Sequence, residues 1–403
     1  MASWPLTGLP RPTGPLLLAG AVCISATLLQ LLKTRTPSKD PWLPSPRETL
    51  LASLPKDQLS SLPYPPDALP GGRDVPTPYG TIRVFEWGPP SGDKVLLLHG
   101  ISTPGPALGS LAHALVDAGH RVMLFDFFGR GYSDAPADLP YDARLYCTQV
   151  LLALASSPLA WTGDAAFHLI GYSLGGGVAV VFAGWFPAMT RSVTVVASGG
   201  MIRREHVGWR SRLLYSKGPW MPEGVREWLV GRKLQPEEEV VATEGEAVLQ
   251  RVVSHDASGG GVFDGAVLDH RRPEVTVAVV TAWQLKFHVG LLRAFVSTMR
   301  YAPIYEQREC WGRLGEMLAA RRKTKAEGRP IPGLEGGKVL AVLGASDSVI
   351  VREEFVRDTR EVLGVDGIEV VVLDAGHEVA ITRGPEVAAI ATDFWSRSAS
   401  GQA

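Results

Sequence analysis

Six short apolar runs recur along this chain: Val95–Leu98, Val122–Phe125, Phe167–Ile170, Val193–Ala197, Val339–Leu343 and Ile368–Leu373. None alternates with polar residues, so each reads as a strand covered on both faces. Helix-patterned stretches lie between several of them, at Ala107–Ala118, Tyr141–Ala155, Leu174–Phe186 and Val351–Leu363. Strand and helix in alternation predict an α/β fold, a doubly wound and mostly parallel sheet with helices on both faces. Thr81 to Trp87 alternates as a half-buried strand would and adds one more element at the start.

One interval interrupts the rhythm. Between Gly200 and Lys338 the chain carries Trp209, Trp220, Trp228, Trp283 and Trp311, many arginines and the loop Ser258-Gly-Gly-Gly261. Apolar residues at Leu285, Phe287, Leu291, Leu292, Phe295 and Met299 have helical spacing. A mainly helical cap inserted over 201–335 is expected. It would separate a first core segment, 79–200, from a second, 336–398.

Upstream, the uncharged run Pro15 to Leu32 would reach about 27 Å as a helix, close to the thickness of a thin membrane. Lys33, Arg35 and Lys39 make the heavier basic flank on its C-terminal side. The segment 1–36 is therefore expected to hold a retained single-pass transmembrane helix at about 15–32. By the positive-inside rule the remainder lies in the cytosol. A cleaved signal peptide or a buried helix are the alternatives for that run. Residues 37–78, rich in proline and leucine, read as a linker. The formal net charge of −1 gives no general attraction for nucleic acid. Cys23, Cys147 and Cys310 are scattered and make no metal or disulfide framework. The absence of asparagine removes every N-glycosylation sequon.

The chemistry gathers where strands end. Gly171-Tyr-Ser173-Leu-Gly175 follows an apolar run and opens a small-residue stretch, so Ser173 sits at the apex of a strand–turn–helix. A serine hydroxyl needs a base and an oxyanion pocket to react. The G-x-S-x-G turn permits both, because the backbone N–H after the serine faces the developing oxyanion. Lys94-Val-Leu-Leu-Leu-His99-Gly100-Ile101 ends another strand, as do Asp126 to Asp134, Gly344-Ala-Ser-Asp347 and Asp374-Ala-Gly-His377.

In this order the pieces resemble the α/β-hydrolase fold superfamily over roughly Thr81 to Ser396, with the cap matched only in position. The resemblance implies a nucleophile–acid–base triad of Ser173, Asp347 and His377. It implies an oxyanion hole made by the backbone N–H groups of Ile101 and Leu174. Asp374 competes with Asp347 for the acid, and the loop Ser198-Gly-Gly-Met201 offers no carboxylate before Glu205. His99 is expected to shape the oxyanion loop, His168 to be structural, and Asp134 to cap a turn. Cap histidines and Glu205 are expected to be packed or solvated, with the orienting of substrate as the alternative.

A serine at the turn points to an acyl-enzyme rather than to the carboxylate chemistry of epoxide hydrolases or haloalkane dehalogenases. The expected activity is hydrolysis of a carboxylic ester with an apolar or lipid-like acyl group. A C–C bond hydrolase of diketones, or an inactive membrane-tethered binding protein on the same fold, are the alternatives. No dinucleotide or P-loop fingerprint is present, so no cofactor and no metal are implied.

Overall fold

The computed structural model describes residues 41–163, 166–235, 260–329 and 331–400. The expected transmembrane run 15–32 and His255 lie outside these residues. Among the described residues, no helix is long and apolar enough to cross a membrane.

In chain order the strands are β1 (Trp42–Leu43), β2 (Gly72–Thr77), β3 (Gly80–Trp87), β4 (Lys94–Leu98), β5 (Arg121–Phe125), β6 (Ala135–Pro136), β7 (Phe167–Tyr172), β8 (Thr190–Val196), β9 (Val339–Gly344) and β10 (Ile368–Leu373). Eight of them form one sheet in the order β10-β9-β8-β7-β4-β5-β3-β2, while β1 pairs with β6. The five neighbouring pairs from β10 to β5 are parallel. Strand β3 is antiparallel to both β5 and β2.

The apolar runs explain the centre of this sheet. Every residue of β7 is buried, as is every residue of β9. A strand without a solvent face can persist only between two covering layers. Helix α1 (Gly109–Asp117) packs against α11 (Gly384–Ser400). Helix α3 (Leu174–Trp185) packs against α2 (Ala143–Ala155) and α9 (Arg308–Ala326), and α10 (Arg352–Leu363) packs on α9. Asp142 starts α2 by accepting from the amides of Arg144 and Leu145 at 2.9 and 3.1 Å. Such a cap stabilises a helix by about 1 kcal/mol.

Between β8 and β9 come α4 (Trp209–Leu214), α5 (Glu223–Leu234), α6 (Gly260–Asp264), α7 (Val277–Phe287), α8 (Leu291–Tyr301) and α9. Helices α7 and α8 bring Val280, Trp283, Phe295 and Met299 into the core.

One expectation fails at the N-terminal side of the core, and another proves too narrow. The proline-rich stretch read as a linker over 37–78 is, from residue 41 onward, built into the body. Tyr64 is 1% exposed, its hydroxyl donates to Asp126 Oδ2 at 2.8 Å, and β2 extends the sheet. Proline removes backbone donors, so the stretch anchors by side chains and by short elements instead of long ones. Asp134 does more than cap a turn. Buried, it accepts from the amides of Ser45 and Thr81, each at 2.8 Å, and so ties the incoming chain to β3.

Candidate active site

The parallel strands all point their carboxyl ends at one edge, where the topology of open α/β sheets places sites. Strand β7 delivers Ser173, β4 delivers Ile101, β9 delivers Asp347 and β10 delivers His377.

The turn at Ser173 is strained. Its φ of 52° and ψ of −116° fall where non-glycine residues rarely sit. That conformation costs on the order of 1–3 kcal/mol and persists only where neighbours hold it. They do so here. The Ser173 amide donates to Val196 O at 3.0 Å, and the Ser173 carbonyl accepts from Gly176 and Gly199 at 3.0 and 2.9 Å. The flanking glycines are required by space: a Cβ at 171 would collide with the Gly175 carbonyl, and one at 175 with the Leu98 carbonyl.

Around that turn the three expected residues meet. His377 Nε2 lies 3.1 Å from Ser173 Oγ, and His377 Nδ1 lies 2.9 Å from Asp347 Oδ2. Asp347 Oδ1 accepts from the amides of Val349 and Ile350 at 2.8 and 2.9 Å. These bonds fix the carboxylate, which then selects the Nδ1–H tautomer and leaves Nε2 free to accept from the serine. Asp374 is exposed to solvent and carries no such contact with the imidazole, so the geometry separates the two acids. The turn bearing His377 is itself held. Tyr172 donates its hydroxyl to the His377 carbonyl at 2.9 Å, and the Gly376 amide donates to Glu378 at 2.7 Å.

Leu174 opens α3, so its N–H has no partner inside the helix. Ile101 and Leu174 line the same cavity as Ser173 and His377. His99 sits beneath Ile101. Its Nε2 accepts from the Phe127 amide at 2.8 Å, and Nδ1–H donates to the Gly100 carbonyl at 2.7 Å. Burial pushes its pKa down to about 3, so it is a neutral strut and not a proton carrier. His168 is likewise buried, bonded to Ser192 and stacked on Trp395 at 3.9 Å between ring centroids.

Two supports escaped the sequence reading. Arg130 is fully buried, yet its partners are neutral: the carbonyls of Ile101 and Phe128 at 3.0 and 3.1 Å and Thr298 Oγ1 of α8 at 2.9 Å. Gln284, fully buried on α7, donates to the Ser102 carbonyl at 2.9 Å and accepts from the Gly131 amide at 2.9 Å. Inserted helices thus brace the 101–102 loop. Partners more than 150 residues apart leave no local pattern, so nothing in the sequence could have paired them.

The cavity over Ser173 holds about 60 Å³ and is walled by Ile202, Phe263, Phe295, Met299, Ile304 and Val349. The Phe263 ring lies 5.8 Å from that of His377. A larger hollow of about 730 Å³ lies between residues 60–69, α1 and the 268–280 segment. It shares no lining residue with the cavity over Ser173.

Of the cap groups weighed for substrate contact, His288 is buried and bonded to the Ser133 carbonyl at 2.9 Å. His206 bonds Glu354 at 2.7 Å, and Glu205 pairs with Arg203. Among the described residues, Glu205, His206 and Glu354 have ligand-type atoms within 4.8 Å of one another. Arg203 already lies against both glutamates, and two of the three residues are solvent-exposed.

Residues 94–229 match the α/β hydrolase fold family. A serine hydrolase-like protein of Danio rerio is 32% identical over 132 residues, which is 32% of this chain and 39% of that one. The chain spans about two fifths of the length of the curated relatives it matches. Among solved structures, the carboxylesterase CesB of Bacillus subtilis is similar with a TM-score of 0.53 at 16% identity, covering 84% of this chain and 94% of that one. The enol-lactonase of Burkholderia xenovorans gives 0.53 at 16% identity, covering 80% and 100%.

Proposed function

We propose, for a chain that belongs to the α/β-hydrolase superfamily, that it is a serine hydrolase cleaving carboxylic esters with an apolar acyl group. The observation that carries this reading is the unbroken line Ser173 Oγ, His377 imidazole, Asp347 carboxylate, at 3.1 and 2.9 Å.

In the proposed reaction, Ser173 Oγ attacks the ester carbonyl carbon as its proton passes to His377 Nε2. Asp347 stabilises the imidazolium without taking a proton. The tetrahedral oxyanion is held by the N–H groups of Ile101 and Leu174, a contribution of about 3–4 kcal/mol per donor in such sites. Collapse breaks the C–O bond, and His377 returns the proton to the departing alkoxide. Water, deprotonated by the same imidazole, then hydrolyses the acyl-enzyme. The aliphatic and aromatic wall of the cavity supports an apolar acyl group, which gains about 25 cal/mol per Å² buried. The run 15–32 with its basic C-terminal flank supports a retained single-pass anchor and a cytosolic hydrolase.

A panel of p-nitrophenyl esters of rising acyl length, set beside a vinylogous diketone, tests this reading. Ester turnover that disappears in Ser173→Ala is expected. Diketone cleavage without ester turnover, or ester turnover unchanged in Ser173→Ala, contradicts it.

A further inference from the structure

On the insertion, several large aromatic rings face solvent instead of the core. Trp209 is 71% exposed, Trp228 56% and Trp220 47%, with Tyr301 close behind. Each carries a cation over its ring: Arg210 on Trp209 at 5.4 Å, Arg226 on Trp220 at 5.5 Å, Arg232 on Trp228 at 5.3 Å and Lys217 on Tyr301 at 4.7 Å. The four rings belong to one connected unit. Arg226 on α5 bonds the carbonyls of Leu213 and Gly218 at 3.4 and 3.3 Å, and Arg300 on α8 pairs with Glu223 on α5 at 3.0 Å.

Charge accompanies the rings. Residues 209–235 hold six arginines and lysines, of which Arg226 is buried, against two glutamates, in a chain whose net charge is −1. We infer that this face of the insertion docks on an anionic lipid surface, with the tryptophans at headgroup depth and the arginines and lysines against lipid phosphates. Indole rings with cationic neighbours are the residues that favour the membrane–water interface. Each basic residue near an anionic leaflet adds about 1 kcal/mol of attraction. A second copy of this chain is a poor occupant, because a two-fold contact would oppose the positive surplus to itself. A protein hot spot would gather its aromatic anchors in one packed centre. Here they are spread over three helices and a loop. The face also adjoins the cavity: Tyr215, between α4 and α5, packs on Phe295, which lines it. Docking would set the proposed ester site beside the lipid, but the docking itself does not depend on that chemistry.

Hydrogen–deuterium exchange on the full chain tests the inference, with phosphatidylcholine vesicles with and without phosphatidylserine. Exchange in 209–234 slowed several-fold by the anionic vesicles alone is expected, with the sheet core unchanged. Trp209→Ser with Trp228→Ser, and separately Arg210→Glu with Arg232→Glu, should abolish that slowing. Each charge reversal should weaken partition by roughly thirtyfold. Core exchange in the same samples reports that the variants are folded. Ser173→Ala should keep the protection, so a failed hydrolase reading and a failed docking reading remain distinguishable. No slowing at saturating lipid, equal slowing in the variants, or slowing caused by raised chain concentration without lipid overturns the inference.

Discussion

At the carboxyl edge of the sheet, the reactive groups are nearly closed from solvent and each has a bonded neighbour. The side chains of His377 and Asp347 are 7% and 2% exposed. On the insertion, Trp209 and Trp228 stand in solvent with a cation over each ring. The first region spends backbone strain and buried polar groups to hold three atoms in line. The second has little packing to lose and a surface to offer. The proposed chemistry and the proposed docking would thereby fall to two regions, and Arg130–Thr298 and Gln284–Ser102 tie the inserted helices to the 101–102 loop.

The largest effects belong to the sheet edge. His377→Ala should lower kcat by about 10⁵-fold or more, and Asp347→Asn by about 10⁴-fold, with thermal stability little changed. A loss of less than tenfold in either would break the assignment. Packing comes next. Trp311 on α9 is fully buried and meets Phe355 edge-on at 5.7 Å. Trp311→Ala should cost about 3–5 kcal/mol in urea unfolding. A cost below about 1 kcal/mol would show that α9 is not part of the core.

Acid should act through the buried histidines. Burial holds His99 and His168 at about 3 and His288 at about 4, against an ordinary 6.5. Each is depressed on folding, so its stabilisation is full above pH 6.5 and is lost as pH falls toward 4 and 3. Asp126, pushed up to about 6 by burial, works the other way and gains stability as pH falls through 6. With three protons against one, stability should fall by about 3 kcal/mol per pH unit between pH 6 and 4. Urea midpoints at pH 7, 6, 5 and 4 check it, and a flat profile would contradict it.

The link between the regions is smaller. Gln284→Leu removes the donor to Ser102 and should lower kcat by about 10–100-fold while KM stays within about threefold. The affinity of a boronate transition-state analogue should fall with kcat, which mere loosening of the fold would not produce. Smallest is the surface. Trp228→Ser should change stability by no more than about 0.5 kcal/mol, in contrast to Trp311.

The centre of the sheet was legible because its strands are apolar on both faces, whereas β10, read as covered on both faces, is an edge strand with Val372 42% exposed. Ser173, Asp347 and His377 each follow one of the strands read from sequence. Asp347 and His377 were expected because their order along the chain matches the nucleophile–acid–base order of the family the sequence resembles. The supports were not legible. Arg130 reads as one basic residue in a loop, and only its burial beside the Ile101 carbonyl gives it meaning. The stretch 41–78 was misread because proline signals an irregular backbone, which a linker and a wrapped, side-chain-anchored segment share. In the insertion the five tryptophans carry no sequence signal that sorts them, yet Trp283 and Trp311 turn inward and Trp209, Trp220 and Trp228 outward.

The central claim is that Ser173 is an activated nucleophile. A fluorophosphonate probe on the full chain, with the adduct located by peptide mass spectrometry, tests it most directly. A single phosphonylated residue at Ser173, lost in Ser173→Ala and slowed at least 100-fold in His377→Ala, is expected, since the serine is inert without its base. A folded protein that never labels, or labels elsewhere, would contradict the account.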